Sequence, residues 1–399
     1  MPTLLTGTGR LAVAQPDGWS APGVLTPWAL EVDGDGRIAW VGPPEEAPRT
    51  DGDHLDLGSA LVTPGLVDAH THPVFAGDRS AEAAARLEGA PYTGGGILST
   101  VAATRAADDA TLEALVEGRL RAALAAGTTT VECKSGYGLS VDEELRHLRL
   151  LGRVAGRLPL RVVRTLLGAH AVPPDVASSA EQVSIVADEM IPAAAAEHAA
   201  QFVDVFADRG FFDLDDVERI GRSAAQHGLR LRIHAEQLLR TGAAELGVRL
   251  GATSVDHLEQ LDDAGVAALA TSRTVATILP GPAIVMRDAL PPTRALLDAG
   301  ARVALASDAN AGTFGAFGAM PLVIGLGATL LDMTAEEALH AATAGAAASL
   351  GLSDAGIVRA GARADLVAWD AEHEGAFVLH LGSVRPLRVW IAGSEVRPA

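Results

Sequence analysis

His70-Thr71-His72 is the first place in the chain where side chains could act together on a ligand. On an extended segment, alternation with period two puts both imidazoles on the same side. Further along stand His170, His234, the pair Asp256-His257, and Asp308, each closing an apolar or β-branched run. Two imidazoles joined by a third and by one carboxylate make a set of four protein ligands suited to a single divalent or trivalent ion. One histidine at a strand end is commonly a hydrogen-bonded core or loop residue, so each piece alone is weak. Their recurrence at successive run ends is what a bland reading does not explain. The other seven, His54, His147, His198, His227, His340, His373 and His380, lie in helical or terminal stretches and read as surface or structural positions.

The elements that must position these residues are legible as alternation. Eight strand candidates follow one another: ALVTPGLVDAHTH, TTTVECKSG, LRVVRTLLGAH, FVDVFAD, LRLRIHAE, TSVDHLE, TVATILP and RVALASDAN. Helical stretches such as TLEALVEGRLRAALAAG and DDVERIGRSAAQHG separate them. Eight β/α units with buried-type strands predict an α/β fold, a parallel (β/α)8 TIM-like barrel, whose C-terminal strand ends converge on one face. A doubly wound open sheet is the alternative, but no G-x-G-x-x-G follows the first strand. Gly94-Gly95-Gly96 lacks a following Lys-Ser/Thr, so it reads as a mobile lid or tight turn and not a phosphate loop. Both ends of the chain have a different texture, short alternating segments broken by turns as in VDGDGRIAWVG. All five tryptophans, Trp19, Trp28, Trp40, Trp369 and Trp390, lie in those ends. This predicts one small β-sandwich domain assembled from residues 1–61 and 353–399, with the barrel spanning 62–352.

Composition narrows the function. The 399 residues carry 31 basic and 50 acidic side chains, a net charge of −19. That balance argues against nucleic acid, which needs a basic face. An apolar content of 48% with 20% charged excludes a disordered acidic chain. The one cysteine, Cys133, excludes an internal disulfide and a Cys-rich zinc module, and fits a reducing compartment. No apolar run reaches the ~18–20 residues of a membrane span. The start, MPTLLTGTGRLAVAQPDG, reads as a strand and not a signal peptide. A cytoplasmic protein acting on small molecules is expected.

PGLVDAHTH followed by a late SDAN resembles the amidohydrolase superfamily of metal-dependent barrel hydrolases. The resemblance narrows to the imidazolonepropionase family through VDAHTHPVFAGDR, GGGILSTVAATR, GTTTVECKSGYGL, LLGAHAVPP, IHAEQ, SVDHLE and SDANAGT, in order from about residue 60 to 350. Two departures stand out. The stretch from Arg86 to Gly94 is short for the family, and AGTFGAFGAMP after Asn310 diverges beyond its Gly-Thr pair. The resemblance implies His70, His72, His234 and Asp308 as ligands of one zinc or iron ion per subunit. Such an ion lowers the pKa of a bound water. It implies Asp308 and His257 as catalytic residues, and Arg79, Tyr137, His170, Gln237, Asn310, Gly312 and Thr313 as substrate contacts. The implied substrate is 4-imidazolone-5-propanoate, opened to N-formimidoyl-L-glutamate in histidine degradation, and the implied assembly is a homodimer.

Physical chemistry adds detail. A substrate with a propionate tail needs a cation, and the planar fork of Arg79 binds a carboxylate through two hydrogen bonds. Tyr137, one of two tyrosines, sits in Ser-Gly-Tyr-Gly, where glycines let a loop carry the ring over a ligand. Gln237 is an amide and no base, so it is read as a hydrogen-bond partner for the ring. Glu236 points to the opposite side of a continued strand and is the weaker candidate for the general base. Lys134 is the only lysine. It lies on the second strand and not the fourth, which argues against a lysine-bridged pair of metals. It is expected to support the Tyr137 loop through Glu132 or Asp308. The competing readings are an aminohydrolase that deaminates a heterocycle, and a barrel that binds metal or ligand without catalysis.

Overall fold

The computed structural model describes residues 2–13, 23–88 and 95–396. Each of the eight predicted runs forms a barrel strand: Leu66–Asp68, Thr128–Lys134, Arg161–Ala169, Phe202–Ala207, Arg230–Ala235, Ser254–His257, Val275–Ile278 and Arg302–Leu305. They lie in one sheet in chain order, and every neighbouring pair is parallel. The seam between first and last strand closes just past their ends. There Thr71 bridges Ala309, the Asp308 amide donates to the His70 carbonyl (2.9 Å), and the His72 amide donates to the Ala309 carbonyl (2.9 Å). Three of the four predicted metal ligands, His70, His72 and Asp308, therefore sit on the segments that close the barrel.

Strand parity decides which residues reach the interior. Val131 and Cys133, Val203 and Val205, Ile233, and Val255 face outward into the main apolar core against the helices. Their neighbours Glu132, Lys134, Asp204, Arg232, His234 and Asp256 face inward and are buried. Helices start where side chains cap them. Asp108, Ser140 and Asp213 each accept from the backbone amide three residues on.

The terminal segments form two sheets. Ile38–Gly42, Trp28–Val32, Thr3–Gly7 and Asp53–Asp56 make the first. The second interleaves both ends of the chain in the order Ser394–Val396, Pro386–Ile391, Leu366–Trp369, Val62–Pro64, Leu11–Val13 and Gly23–Leu25. Leu5, Trp28, Ile38, Val62, Leu366 and Trp390 share the core between the sheets. Because Val62–Pro64 pairs with Leu366–Trp369, the barrel proper begins at Leu66, slightly later than residue 62. The first predicted run thus splits at Gly65, where a Cβ would collide with Thr129. Trp369 joins the barrel core, packing against Phe377 and donating its indole N–H to Thr63, while Trp40 is only partly buried. Trp19 lies outside the described residues.

The glycine run corrects its expectation. Gly95 and Gly96 open the helix Gly95–Ala106 and do not form a turn or lid. Residues 89–94, which hold Gly94 and most of the stretch expected to be short, lie outside the described residues.

Candidate active site

The three predicted imidazoles converge. His70 Nε2 stands 3.2 Å from His72 Nε2 and 3.1 Å from His234 Nε2. Asp308 Oδ1 lies 3.5 Å from His70 Nε2 and 3.3 Å from His72 Nε2. Ligands about 2.0–2.1 Å from a tetrahedral zinc are separated by roughly 3.3–3.4 Å, so these spacings are those of a coordination shell. The far nitrogens of two rings are already committed. His70 Nδ1–H donates to Asp256 (2.7 Å) and His234 Nδ1–H to Asp204 (3.0 Å). Their Nε2 atoms then face each other as lone pairs, an arrangement that a cation between them turns from repulsive to attractive. Burial holds the His70 and His234 pKa values below the ordinary imidazole range, which keeps the rings in the ligating neutral form. The donor set therefore fits a metal ion.

Under this layer lies a second one that the sequence reading did not identify. Asp204 also pairs with Lys134 (2.7 Å), and Lys134 with Glu132 (2.8 Å). Arg232 pairs with Asp256 (2.9 Å) and donates to the carbonyls of Ala69 and Ser349. All five charged residues are fully buried. Burial opposes the charge on Lys134, but Asp204 and Glu132 outweigh it and raise the pKa. The expectation for Lys134 is corrected here. Its partner beside Glu132 is Asp204 and not Asp308, and it braces the His234 side of the site.

The Tyr137 loop is held by Glu144 instead. This buried carboxylate accepts the backbone N–H groups of Gly136 (2.9 Å), Gly138 (2.8 Å) and Leu139 (2.7 Å). Gly136 has φ of +98°, where a side chain would be strained and would also strike Leu167. Tyr137 is buried, its ring 5.3 Å from His170 and 6.1 Å from His72. His170 Nδ1–H donates to the Gly136 carbonyl (2.8 Å), and its ring stacks on His72.

Opposite them stands His257, whose Nε2 is 3.9 Å from Asp308 Oδ2 and whose Nδ1 is 3.3 Å from Glu259. Burial opposes charge on this ring, but Glu259 and Asp308 outweigh it and raise its pKa. Burial likewise works against the Asp308 carboxylate, yet His72, His257 and His234 hold its pKa below the usual range. His257 (φ 82°) and Asp308 (φ 48°) both occupy the left-handed region. Such strain in non-glycine residues concentrates where side chains must be aimed.

A narrow chamber joins these groups, with Arg79, Tyr137, His170, Gln237, Asn310 and Thr313 on its walls together with His72, His234, His257 and Asp308. Of the predicted contacts only Gly312 stands back, lining an outer cavity and abutting the Arg79 guanidinium. Asn310 is engaged in its own loop, accepting from Gly312 N (2.7 Å) and Thr313 N (2.9 Å). Glu236 is buried with its carboxylate committed to the amides of Thr241, Gly242 and Ala244 at a helix start. The other histidines divide as surface and structure: His147 and His340 are buried, and the remaining five are exposed.

Comparison with known proteins places this geometry. A model of the amidohydrolase family matches residues 95–397. The chain is 45% identical over 393 residues to the imidazolonepropionase of Nocardia farcinica, covering 98% of each. It is 48% identical over 363 residues to that of Ectopseudomonas mendocina, covering 88% of this chain and 89% of the relative. Among solved structures, a variant of atrazine chlorohydrolase from Arthrobacter aurescens, complexed with zinc and atraton, superposes with a TM-score of 0.75 at 18% identity. That superposition covers 98% of this chain and 94% of the other. The barrel, its histidine–aspartate centre and the near-full-length identity agree, and the chain belongs to the amidohydrolase family, among its imidazolonepropionases.

Proposed function

We propose that this protein hydrolyses the cyclic amide of 4-imidazolone-5-propanoate to N-formimidoyl-L-glutamate, a step of histidine degradation. The observation that carries the reading is the convergence of His70, His72, His234 and Asp308 at 3.1–3.5 Å beneath a chamber that also holds Arg79 and Gln237. Those four residues would hold one zinc or iron ion, which when bound supplies Lewis-acid activation of water and carbonyl. Zinc is the metal of the atrazine chlorohydrolase structure that shares the fold.

The chain's own groups account for the rest. Asp308, kept ionised, accepts the proton of the attacking water through Oδ2 and passes it toward the ring nitrogen that leaves. His257, kept cationic by Glu259, stabilises the negative charge that develops on the carbonyl oxygen. The Gln237 amide hydrogen-bonds the ring, Tyr137 and His170 wall its faces, and Arg79 takes the propionate. Asn310, with Gly312 and Thr313, keeps the strap after Asp308 in place.

Deamination by a related aminohydrolase is less well supported, because the carboxylate nearest the fifth strand end, Glu236, is used up capping a helix. Mass spectrometry of the product separates the two. Ring opening adds one water and releases no ammonia, whereas deamination releases ammonia and overturns the proposal. Among the described residues no helix is long and apolar enough to cross a membrane. A cytoplasmic location and no nucleic-acid partner complete the proposal, supported by a buried free Cys133 and by the net charge of −19, and a homodimer is proposed from the family resemblance alone.

A further inference from the structure

Arg79 is held in an unusual seat. Its Nε and Nη2 donate to the two carboxylate oxygens of Glu82 at 2.9 and 2.7 Å. Its guanidinium lies between Gly96 on one side and Gly312 on the other, and a Cβ on either glycine would overlap it. Glu82 is shared, because Arg86 Nη1 reaches the same Oε1 at 2.8 Å while Arg86 Nη2 donates to the Gly312 carbonyl at 2.6 Å. The result is a brace, Arg79–Glu82–Arg86–Gly312, from the chamber wall to the loop that follows Asp308. The brace stands between two spaces, since Arg79, Asn310 and Thr313 line both the inner chamber and an outer cavity of about 400 Å³.

We infer that Glu82 is a positioning residue for substrate recognition: it fixes the plane and edge of the Arg79 guanidinium, so that the substrate carboxylate meets a fork already oriented. This rests on the proposed role of Arg79 in binding the propionate. A guanidinium holds its five donors in one plane, and Glu82 across the Nε–Nη2 edge fixes that plane. A long arginine side chain otherwise loses much rotational freedom when it binds, and preorganisation removes that loss before the ligand arrives. Glu82 itself is partly exposed, on the short helix Ser80–Leu87. The arginine keeps its carboxyl below the usual range, so the brace stays charged at neutral pH.

Calorimetric titration of the metal-loaded protein with 3-(imidazol-4-yl)propanoate and with imidazole tests this without requiring turnover. Glu82→Ala is expected to weaken the propanoate by about tenfold or more, the loss of an oriented charge-assisted contact, and to leave imidazole within about twofold. Glu82→Gln, which keeps the shape and one acceptor, should fall between wild type and Glu82→Ala. In the ring-opening assay the same variants should raise KM by a similar factor while kcat changes less than about threefold. Equal weakening of both ligands, unchanged binding, or tighter binding of the propanoate would each overturn the inference. Unfolding midpoints of both variants are measured alongside, and a lower midpoint with imidazole binding unchanged still reports lost orientation at Arg79, because general loosening would weaken both ligands. A wild-type protein that binds the propanoate yet opens no ring would overturn the proposed reaction, and the ligand contrast would still decide on Glu82.

Discussion

At the scale of single residues, the imidazoles proposed to hold the metal are aimed by carboxylates that are themselves neutralised by buried cations. Asp204, between His234 and Lys134, has both oxygens engaged. Replacing it as Asp204→Asn removes the charge that orients the ring, and metal affinity should fall by about 10–100-fold, read by competition with a chromogenic chelator. Unchanged affinity would show that His234 needs no such partner. Gln237→Ala should raise KM more than it lowers kcat, since an amide on the chamber wall binds but transfers no proton. Complete loss of turnover with unchanged binding would give Gln237 a different role. The convergence of His70, His72, His234 and Asp308 was legible because each stands at or just past a strand end, where a barrel builds its site. Asp204 and Arg232 were hidden as single charges within apolar runs. The signal for them was parity, because Arg232 stands two residues before His234 and shares its inward side. Lys134 was placed on the correct strand but given Asp308 as an alternative partner, since sequence order says nothing about which strands face each other across a barrel.

At the scale of elements, the Tyr137 loop depends on one carboxylate from the helix behind it, Val141–Ala155. Glu144→Ala leaves three backbone N–H groups without their acceptor, and should cost about 2–3 kcal/mol in urea unfolding and raise KM as the Tyr137 wall loosens. A loss below about 0.5 kcal/mol would mean the glycine loop holds its shape alone. On the helix Ala335–His340, burial pushes the His340 pKa down to about 4. Above pH about 6.5 the ring is neutral in folded and unfolded chains alike. Between about 6.5 and 4 the unfolded chain takes up a proton that the folded one refuses, so stability falls as pH falls. His340→Gln should flatten that acid limb by up to about 3 kcal/mol, measured as unfolding free energy against pH. Eight strands and their order were readable from alternation, whereas the short helix openings were not. Gly95 and Gly96 look like a turn in sequence, and the Arg79–Glu82 pair lying against Gly96 explains why a side chain is absent there.

At the scale of the whole molecule, two sheets drawn from both termini and a barrel between them agree with the split in tryptophan usage, and the barrel's last seam is closed by the segments that carry His70, His72 and Asp308. Metal binding and barrel closure should therefore be linked. Removing the ion by chelation is expected to lower the thermal midpoint by several degrees and restoring it to recover the loss, as mass action on a site formed only in the folded state requires. A midpoint indifferent to metal would uncouple the two. The charge of −19 does not argue against an anionic substrate, because Arg79 on the chamber wall is the proposed local counter-charge. The central claim is ring opening at one metal per chain. It is tested most directly by following the ultraviolet absorbance of 4-imidazolone-5-propanoate while metal is titrated into chelated protein. The account predicts that the ring chromophore disappears with a rate that saturates at one equivalent of metal and with no ammonia released. An undiminished chromophore with metal-replete protein would contradict it.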